Sequence, residues 1–425
     1  MKKIFTFAAV AAVVLSSCAK VDNYKVSAPE AISFGVYAGN AANTKAVSGT
    51  DFGTITNTEL QASSNGFGVF AYYTDAADYA SATKPNFMYN QQVTYSSDHW
   101  TYNPVKYWPN EHGSSAVSTD VDKLTFLAYA PFVANLDINS DHGVAVADTA
   151  ATPAAATEGI IAMTANNVPG DAVLTFKVPA SAEEQIDLLY GVMGAAYKDV
   201  QDTTRGAENG PLENLTKQKV GDKIQIKFKH SLAKIAINIK DVINKVEAES
   251  SVNPASTKVV VESVKLVGSS IGTQGKLNLY TGAWGDVTPA TEFTVAPLPA
   301  AIRVDAAPTV YADIPAGVDE NGLDKTIDLM LIPVAASTIT GVEIVYYVCT
   351  EDAQLDGGVS VVKNTISKTL DTNPTTDGNQ PLSIAMGKQY NLNVLLGLTS
   401  VDLTATVDNW TVESTTNVDL PKNVE

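Results

Sequence analysis

Cysteine, arginine and histidine are all scarce in this chain of 425 residues, and each scarcity rules something out. With only Cys18 and Cys349, no disulfide framework can staple the fold. The only arginines are Arg205 and Arg303, and the formal net charge is −18. A nucleic-acid partner needs clustered Lys or Arg to neutralise phosphates, and an anionic membrane surface attracts the same residues. Neither is expected as an electrostatic partner. The four histidines, His99, His112, His142 and His230, never fall at zinc-like spacing with one another or with cysteine. A Gly-Lys-Ser/Thr phosphate loop and a G-x-S-x-G nucleophile turn are also missing. Carboxylates are too numerous for any two to stand out as an acid–base pair. No cofactor, metal or catalytic residue is expected, and nothing requires an enzyme. No long stretch repeats at the helical period.

What is present is material for strands. Hydrophobic residues make up 45% and charged residues 17%, which allows sizeable cores. Val, Ala, Thr and Tyr are abundant, and Gly and Pro punctuate the chain, as in all-β proteins. At roughly 100–200 residues per domain the length suggests two or three domains. Short alternating segments recur: GFGVFAYYT (Gly66–Thr74), FMYNQQVTY (Phe87–Tyr95), WTYNPVKYW (Trp100–Trp108), KLTFLAYAPF (Lys123–Phe132), AVLTFKVP (Ala172–Pro179) and IDLLYGVMG (Ile186–Gly194). Ala182–Tyr190 is the best helix candidate, though it reads as strand equally well. The polar text from Asp199 to Asp222 is a domain boundary or a long exposed loop.

The second half opens with KIQIKFKHSLAKIAINIK (Lys223–Lys240). Ile224, Ile226, Phe228 and Leu232 share one parity, and Ile235, Ile237 and Ile239 share the other. A β-bulge near His230–Lys234 would restore a single buried face. Further strands are expected at Val259–Val267, Gly275–Trp284, Ile327–Val334, Gly341–Cys349, Lys388–Leu398 and Ser400–Trp410. Several short strands in each half predict two antiparallel β-sandwiches.

Some residues admit two readings. His230 is either a catalytic base or a polar group satisfying a disturbed ladder, and the second is preferred. Asp137–Asp148 has the alternate acidic spacing of a calcium loop, but His142 stands where a glycine should turn the chain, so a solvated turn is preferred. Tyr102, Tyr107 and Trp108 form a sugar platform or pack on a core, with packing preferred. Cys349 alternates with Val345 and Tyr347 and reads as a buried strand residue.

The beginning of the chain is distinctive. Lys2 and Lys3 precede an apolar run, Ile4–Leu15, too short to span a bilayer. Leu15-Ser16-Ser17-Cys18 follows. This order reads as a lipoprotein signal peptide over residues 1–17, with Cys18 lipidated; an ordinary signal peptide that contains a cysteine is the alternative. Next comes AISFGVYAGNAANTKAVSG (Ala31–Gly49). Ile32, Phe34 and Val36 alternate with Ser33, Gly35 and Tyr37, as in a half-buried strand. Lys45 is the only basic residue from Val26 to Thr83. On spacing alone it is as readily a loop lysine as a processing site.

Taken in order, GFGVFAYYT, WTYNPVKYWPN, LTFLAYAP and IDLLYG, then FKHSLAKI, GKLNLYTGAW, LMLIPV, GKQYNLNVLLGLTSV and VDNW, resemble the fimbrillin family, the subunits of type V pili. The likeness covers nearly the whole chain. It implies two tandem transthyretin-like β-sandwich domains, here 46–210 and 211–425. It further implies export as a lipoprotein to the outer membrane, with 18–45 a lipidated pro-segment carrying a removable first strand. Surface proteolysis would cut Lys45–Ala46, where many family members have arginine. The partners implied are other pilin subunits, the outer membrane through lipid before cleavage, and a host or bacterial surface ligand.

On that reading Ile32, Phe34 and Val36 fill a groove in the first sandwich until the cut releases them. A neighbour's segment 411–425, TVESTTNVDLPKNVE, is then the candidate donor strand, through Val418 and Leu420. The role implied is stalk or tip subunit. The alternatives are a lipid-anchored anchor subunit, a monomeric surface adhesin, and a surface glycan-binding or glycan-degrading protein.

Overall fold

The computed structural model describes residues 30–37, 57–62, 66–109, 122–134, 157–194, 209–217, 223–241, 256–318, 325–370, 381–397 and 401–409. Strand β1 (Phe34–Tyr37) precedes the short helix α1 (Asn57–Ala62). Then come β2 (Phe67–Tyr73), β3 (Met88–Ser96), β4 (His99–Thr101), β5 (Leu124–Ala130), β6 (Gly159–Met163), β7 (Val173–Lys177) and β8 (Leu189–Met193). The chain continues through β9 (Leu212–Leu215), β10 (Ile224–His230), β11 (Ala233–Asp241), β12 (Thr257–Asn278) and β13 (Trp284–Val295). It ends its described course with β14 (Thr326–Leu331), β15 (Thr338–Glu351), β16 (Val359–Thr369), β17 (Leu382–Ser383), β18 (Lys388–Leu396) and β19 (Val401–Asn409). The protein is all-β, as its composition predicts.

Three sheets organise these strands. The first runs β1-β10-β8-β5-β2-β3-β4, with β9 on β5; the second runs β14-β11-β18-β19; the third runs β16-β15-β12-β7-β6, with β13 on β12 and β17 on β15. Strands β2 and β5 of the first sheet are buried on both faces, which explains why FGVFAYY and LTFLAYA carry almost no polar alternation. Successive side chains of a strand point to opposite faces. Phe67, Val69, Ala71, Phe126 and Ala128 enter one core, with Leu60 of α1. Phe70, Tyr72, Leu127 and Tyr129 enter a second core, shared with Ile235 and Ile237 of β11, Val264 and Leu266 of β12, Ile344 of β15 and Leu392 of β18. Burying each large apolar side chain stabilises the fold by about 1.5–3 kcal/mol, so this second core joins the sheets firmly.

The expected boundary at 210/211 falls between β8 and β9. The strands β9 and β10, which follow it, pair with β5 and β8, which precede it. In the other direction β7 pairs with β12.

Several expectations need correction. Not every pairing is antiparallel: β1 with β10 and β11 with β18 are parallel. The parity switch within Lys223–Lys240 is no bulge. β10 ends at His230, Ser231 and Leu232 are fully buried, and β11 enters a different sheet. Ile224, Ile226 and Phe228 face one core and Ile235, Ile237 and Ile239 the other, so each parity has its own interior. The stretch Asp199–Asp222 is not all exposed loop, because Leu212 and Leu215 of β9 are buried. Trp100–Trp108 is strand only to Thr101. The strands expected at Val259–Val267 and from Gly275 are one strand, β12, whose register shifts between Val267 and Ile271, and again on either side of Gln274. A Cβ at Gly268 would lie 2.1 Å from the Thr338 carbonyl oxygen, so only glycine fits this irregular crossing.

Candidate functional site

The floor of the site is the outer edge of β10. Its even residues, Ile224, Ile226 and Phe228, point into the first core. Segment 30–37 lies along this edge and is held on two sides. Phe34, Gly35, Val36 and Tyr37 stand opposite Ile224, Gln225, Ile226 and Lys227 in parallel register, and the Ile224 N–H donates to the Ser33 carbonyl at 2.9 Å. Its first residues meet the loop after β4. Ala31 forms an antiparallel bridge with Tyr107. The Ile32 N–H donates to the Lys106 carbonyl at 2.8 Å, and the Trp108 N–H donates to the Glu30 carbonyl at 3.0 Å. The segment thus spans the gap between the two ends of the first sheet and closes it around the core.

Its side chains fill that core. Ile32 and Phe34 are each 2% exposed. The Phe34 ring lies 6.0 Å from Phe67 of β2, 6.0 Å from Phe126 of β5 and 5.6 Å from Tyr102, edge-on to the first two. Such edge-to-face pairs add to the burial energy. Val36 is half-buried against the same cluster. The buried Tyr102 hydroxyl donates to the Ile32 carbonyl at 2.9 Å. Desolvation raises the Tyr102 pKa above the usual tyrosine value, so the phenol stays a neutral donor. At the surface Lys217 pairs with Glu30, a contact of small energetic weight in water.

Tyr102 and Trp108 pack into this core, whereas Tyr107 is exposed. Cys18, Lys45, Ala46, Val418, Leu420 and the Asp137–Asp148 stretch lie outside the described residues. The His230 Nδ1 lies 3.0 and 2.9 Å from the two carboxylate oxygens of buried Asp187, which satisfies this histidine where the chain changes sheets. Cys349 is fully buried in β15, and burial pushes its thiol up to about 11, which leaves it a poor nucleophile. Among the described residues no three His, Cys, Asp or Glu side chains gather to hold a metal. Sequence reasoning missed the roles of Lys106 and of β10 as partners of the first strand. Neither carries a local signal, because the pairing is long-range.

Residues 44–410 match the family described as fimbrillin-like. Over 220 residues the chain is 30% identical to the fimbrium subunit Fim1C of Phocaeicola vulgatus, a match covering 50% of this chain and 45% of that protein. The chain therefore spans under half the length of that relative. A crystal structure of a fimbrial protein from Bacteroides vulgatus shares the fold at a TM-score of 0.55 and 21% identity, covering 90% of this chain and 99% of that one. The matched family span begins after segment 30–37 and stops before residue 411. This all-β chain belongs to the fimbrillin-like family, which is a family of fimbrial proteins and not of enzymes.

Proposed function

We propose that this chain is a structural subunit, stalk or tip, of an adhesive fimbria on a bacterial outer surface, assembled by proteolysis-triggered strand exchange. One observation carries the reading. Segment 30–37 completes the first core, yet it is joined to the rest of the fold only through residues 38–56, which contain Lys45. The precursor is an outer-membrane lipoprotein anchored at Cys18, and its own first strand blocks the edge of β10. A cut at Lys45–Ala46 leaves the plug held by noncovalent forces alone. The fold separates from the lipid anchor when the plug leaves.

The energies suit a plug that holds while tethered and leaves once cut. Burial of Ile32 and Phe34 contributes about 3–6 kcal/mol together, and each backbone hydrogen bond about 1 kcal/mol. While tethered, the segment rebinds at an effective concentration in roughly the millimolar range. Once free it is a short ligand that must also lose its own translational entropy. The vacated edge exposes apolar pockets and unpaired N–H and C=O groups, which recruit another strand. Segment 411–425 of a second subunit is the candidate donor. A head-to-tail contact of this kind is heterologous and extends into a filament. Removing residues 1–45 takes away Lys2, Lys3, Lys20, Lys25 and Lys45 against Asp22 and Glu30, so the mature subunit is more acidic.

N-terminal sequencing of surface-extracted protein, read beside electron microscopy, tests this. Expected are filaments whose subunits begin at or near Ala46. Full-length protein acylated at Cys18, with no filaments, overturns the proposal and leaves an anchor or monomeric adhesin.

A further inference from the structure

We infer that copies of this chain also meet through their two ends: the far end of the second half, around Val310 and Leu355, docks on the loop around Val105 and Tyr107 of a second copy. The inference rests on the reading as a structural subunit of a fimbria and adds a contact outside the groove of β1.

The two surfaces lie at opposite ends of the fold. The turn between β12 and β13 reaches the first sheet, where the Tyr280 hydroxyl donates to Glu213 and the Trp284 indole N–H donates to the Ser231 carbonyl at 2.6 Å. β12 has 22 residues. At about 3.3 Å per residue, its start is carried far from that sheet. There Thr257 pairs with Thr350 of β15, and the segment from Arg303 to Val318 flanks Val261 and Val259. On the other side of Ser231, β10 leads back to Ile224 at the outer end of the first sheet. The loop 102–108 lies beyond it, against residues 30–32.

Each surface is apolar at its centre. Val105 is 45% and Tyr107 48% exposed, and Val310 is 39% and Leu355 46% exposed. Val310 and Leu355 stand on two loops packed together: a Cβ at Gly357, whose φ is +72°, would lie 1.8 Å from the Thr309 carbonyl oxygen. Large apolar side chains grouped in water mark interaction surfaces.

Charge selects the partner. Residues 303–313 and 351–358 carry Asp305, Asp313, Glu351, Asp352 and Asp356 against Arg303, which itself pairs with Asp305 at 3.6 Å. Around the other surface stand Lys106 in the loop, Lys223 before β10, and Lys217, which pairs with Glu30. In a chain of net charge −18 this is a local excess of lysine. Two acidic ends repel, whereas an acidic end and a lysine-rich end attract. Contact between different surfaces of identical copies is heterologous and repeats along a file of subunits. Patches this small bind weakly alone, so the contact sets register and partner choice rather than total affinity.

Charge reversal in the full chain, expressed on cells, tests the contact. Asp313→Lys with Asp356→Lys reverses one end, and Lys106→Glu with Lys223→Glu reverses the other. Each pair should lower the number of filaments about tenfold. All four changes in one chain should restore it to within about twofold, because each altered end again meets its opposite. Thermal midpoints of the purified variants should stay unchanged, which separates lost contact from lost fold. Leu355→Cys with Tyr107→Cys should give a ladder of covalent multimers with a short bismaleimide. Either substitution alone should not, since Cys349 is buried. Filaments indifferent to both reversals, a loss that the combined chain does not restore, or no ladder overturns the contact and leaves the fimbrial reading standing. A covalent dimer from Leu355→Cys alone overturns the pairing of unlike ends. Cells that carry the unaltered chain and make no filaments overturn the fimbrial reading, and this contact with it.

Discussion

β10 and β11 are consecutive strands with the same kind of neighbour and opposite prospects. Each carries a parallel partner: β1 on β10 over Phe34–Tyr37, and β18 on β11 over Gln389–Leu396. Parallel partners are never fixed by a tight hairpin, so position in the sheet and connection along the chain decide whether they can leave. β18 is internal, flanked on its far side by β19 over its whole length. β1 is terminal in its sheet, and on its other side residues 30–32 make a short contact with residues 102–108. Both bury large side chains, Phe34 in one case and Leu392 in the other. On the proposed strand-exchange reading, burial alone does not mark a strand as permanent; topology does.

The largest expected effect breaks this contrast directly. Phe34→Ala should cost about 3–5 kcal/mol and Leu392→Ala about 2–5 kcal/mol, seen as lowered thermal midpoints of the full-length protein. Only Phe34→Ala should also produce concentration-dependent association on gel filtration, because only there does loosening uncover a strand edge. Equal association by Leu392→Ala would mean the two parallel partners do not differ as argued. A smaller effect sharpens the contrast. Tyr102→Phe removes the donor to the buried Ile32 carbonyl, at about 1–3 kcal/mol. Tyr390→Phe removes the equivalent donor to the Ser383 carbonyl beside β18. Amide exchange of residues 30–37 should speed about tenfold per 1.4 kcal/mol in the first variant and stay unchanged in the second.

The strand of the plug was legible in the sequence, and its partner was not. Ile32, Phe34 and Val36 alternate plainly, but nothing near them names β10, because parallel edge pairing joins segments far apart in the chain. The parity switch between Phe228 and Ile235 was visible, yet a bulge and a change of sheet leave the same trace in sequence. β13 and β16 escaped notice because most of their residues are exposed, so no apolar alternation marks them. β9 hid in polar text because two leucines spaced three apart do not make a period. β12 looked like two strands because Gly268–Gly272 reads as a turn, whereas the structure uses that glycine-rich stretch for register shifts within one strand.

The smallest effect reads out the plug itself. Desolvation raises both Tyr102 and Tyr390 above the ordinary value of 10.0. A phenol whose folded pKa is raised keeps its proton when the unfolded chain has lost it. Its contribution to stability is complete below pH 10 and is lost as pH climbs through the folded value. Tyr89 and Tyr280, pushed up to about 12 mainly by burial, extend that loss, so stability should fall from pH 10 toward pH 12. If the plug leaves as proposed, water reaches Tyr102 and its pKa should drop back toward 10, while that of Tyr390 in the internal strand β18 stays raised. Near-ultraviolet titration of cut and uncut protein should differ by about one tyrosinate, the change expected when a single phenol loses its burial. Tyr102→Phe should abolish that difference and Tyr390→Phe should preserve it. If the difference survives Tyr102→Phe, removal of β1 does not open the groove at Phe34, and the two parallel partners are alike after all.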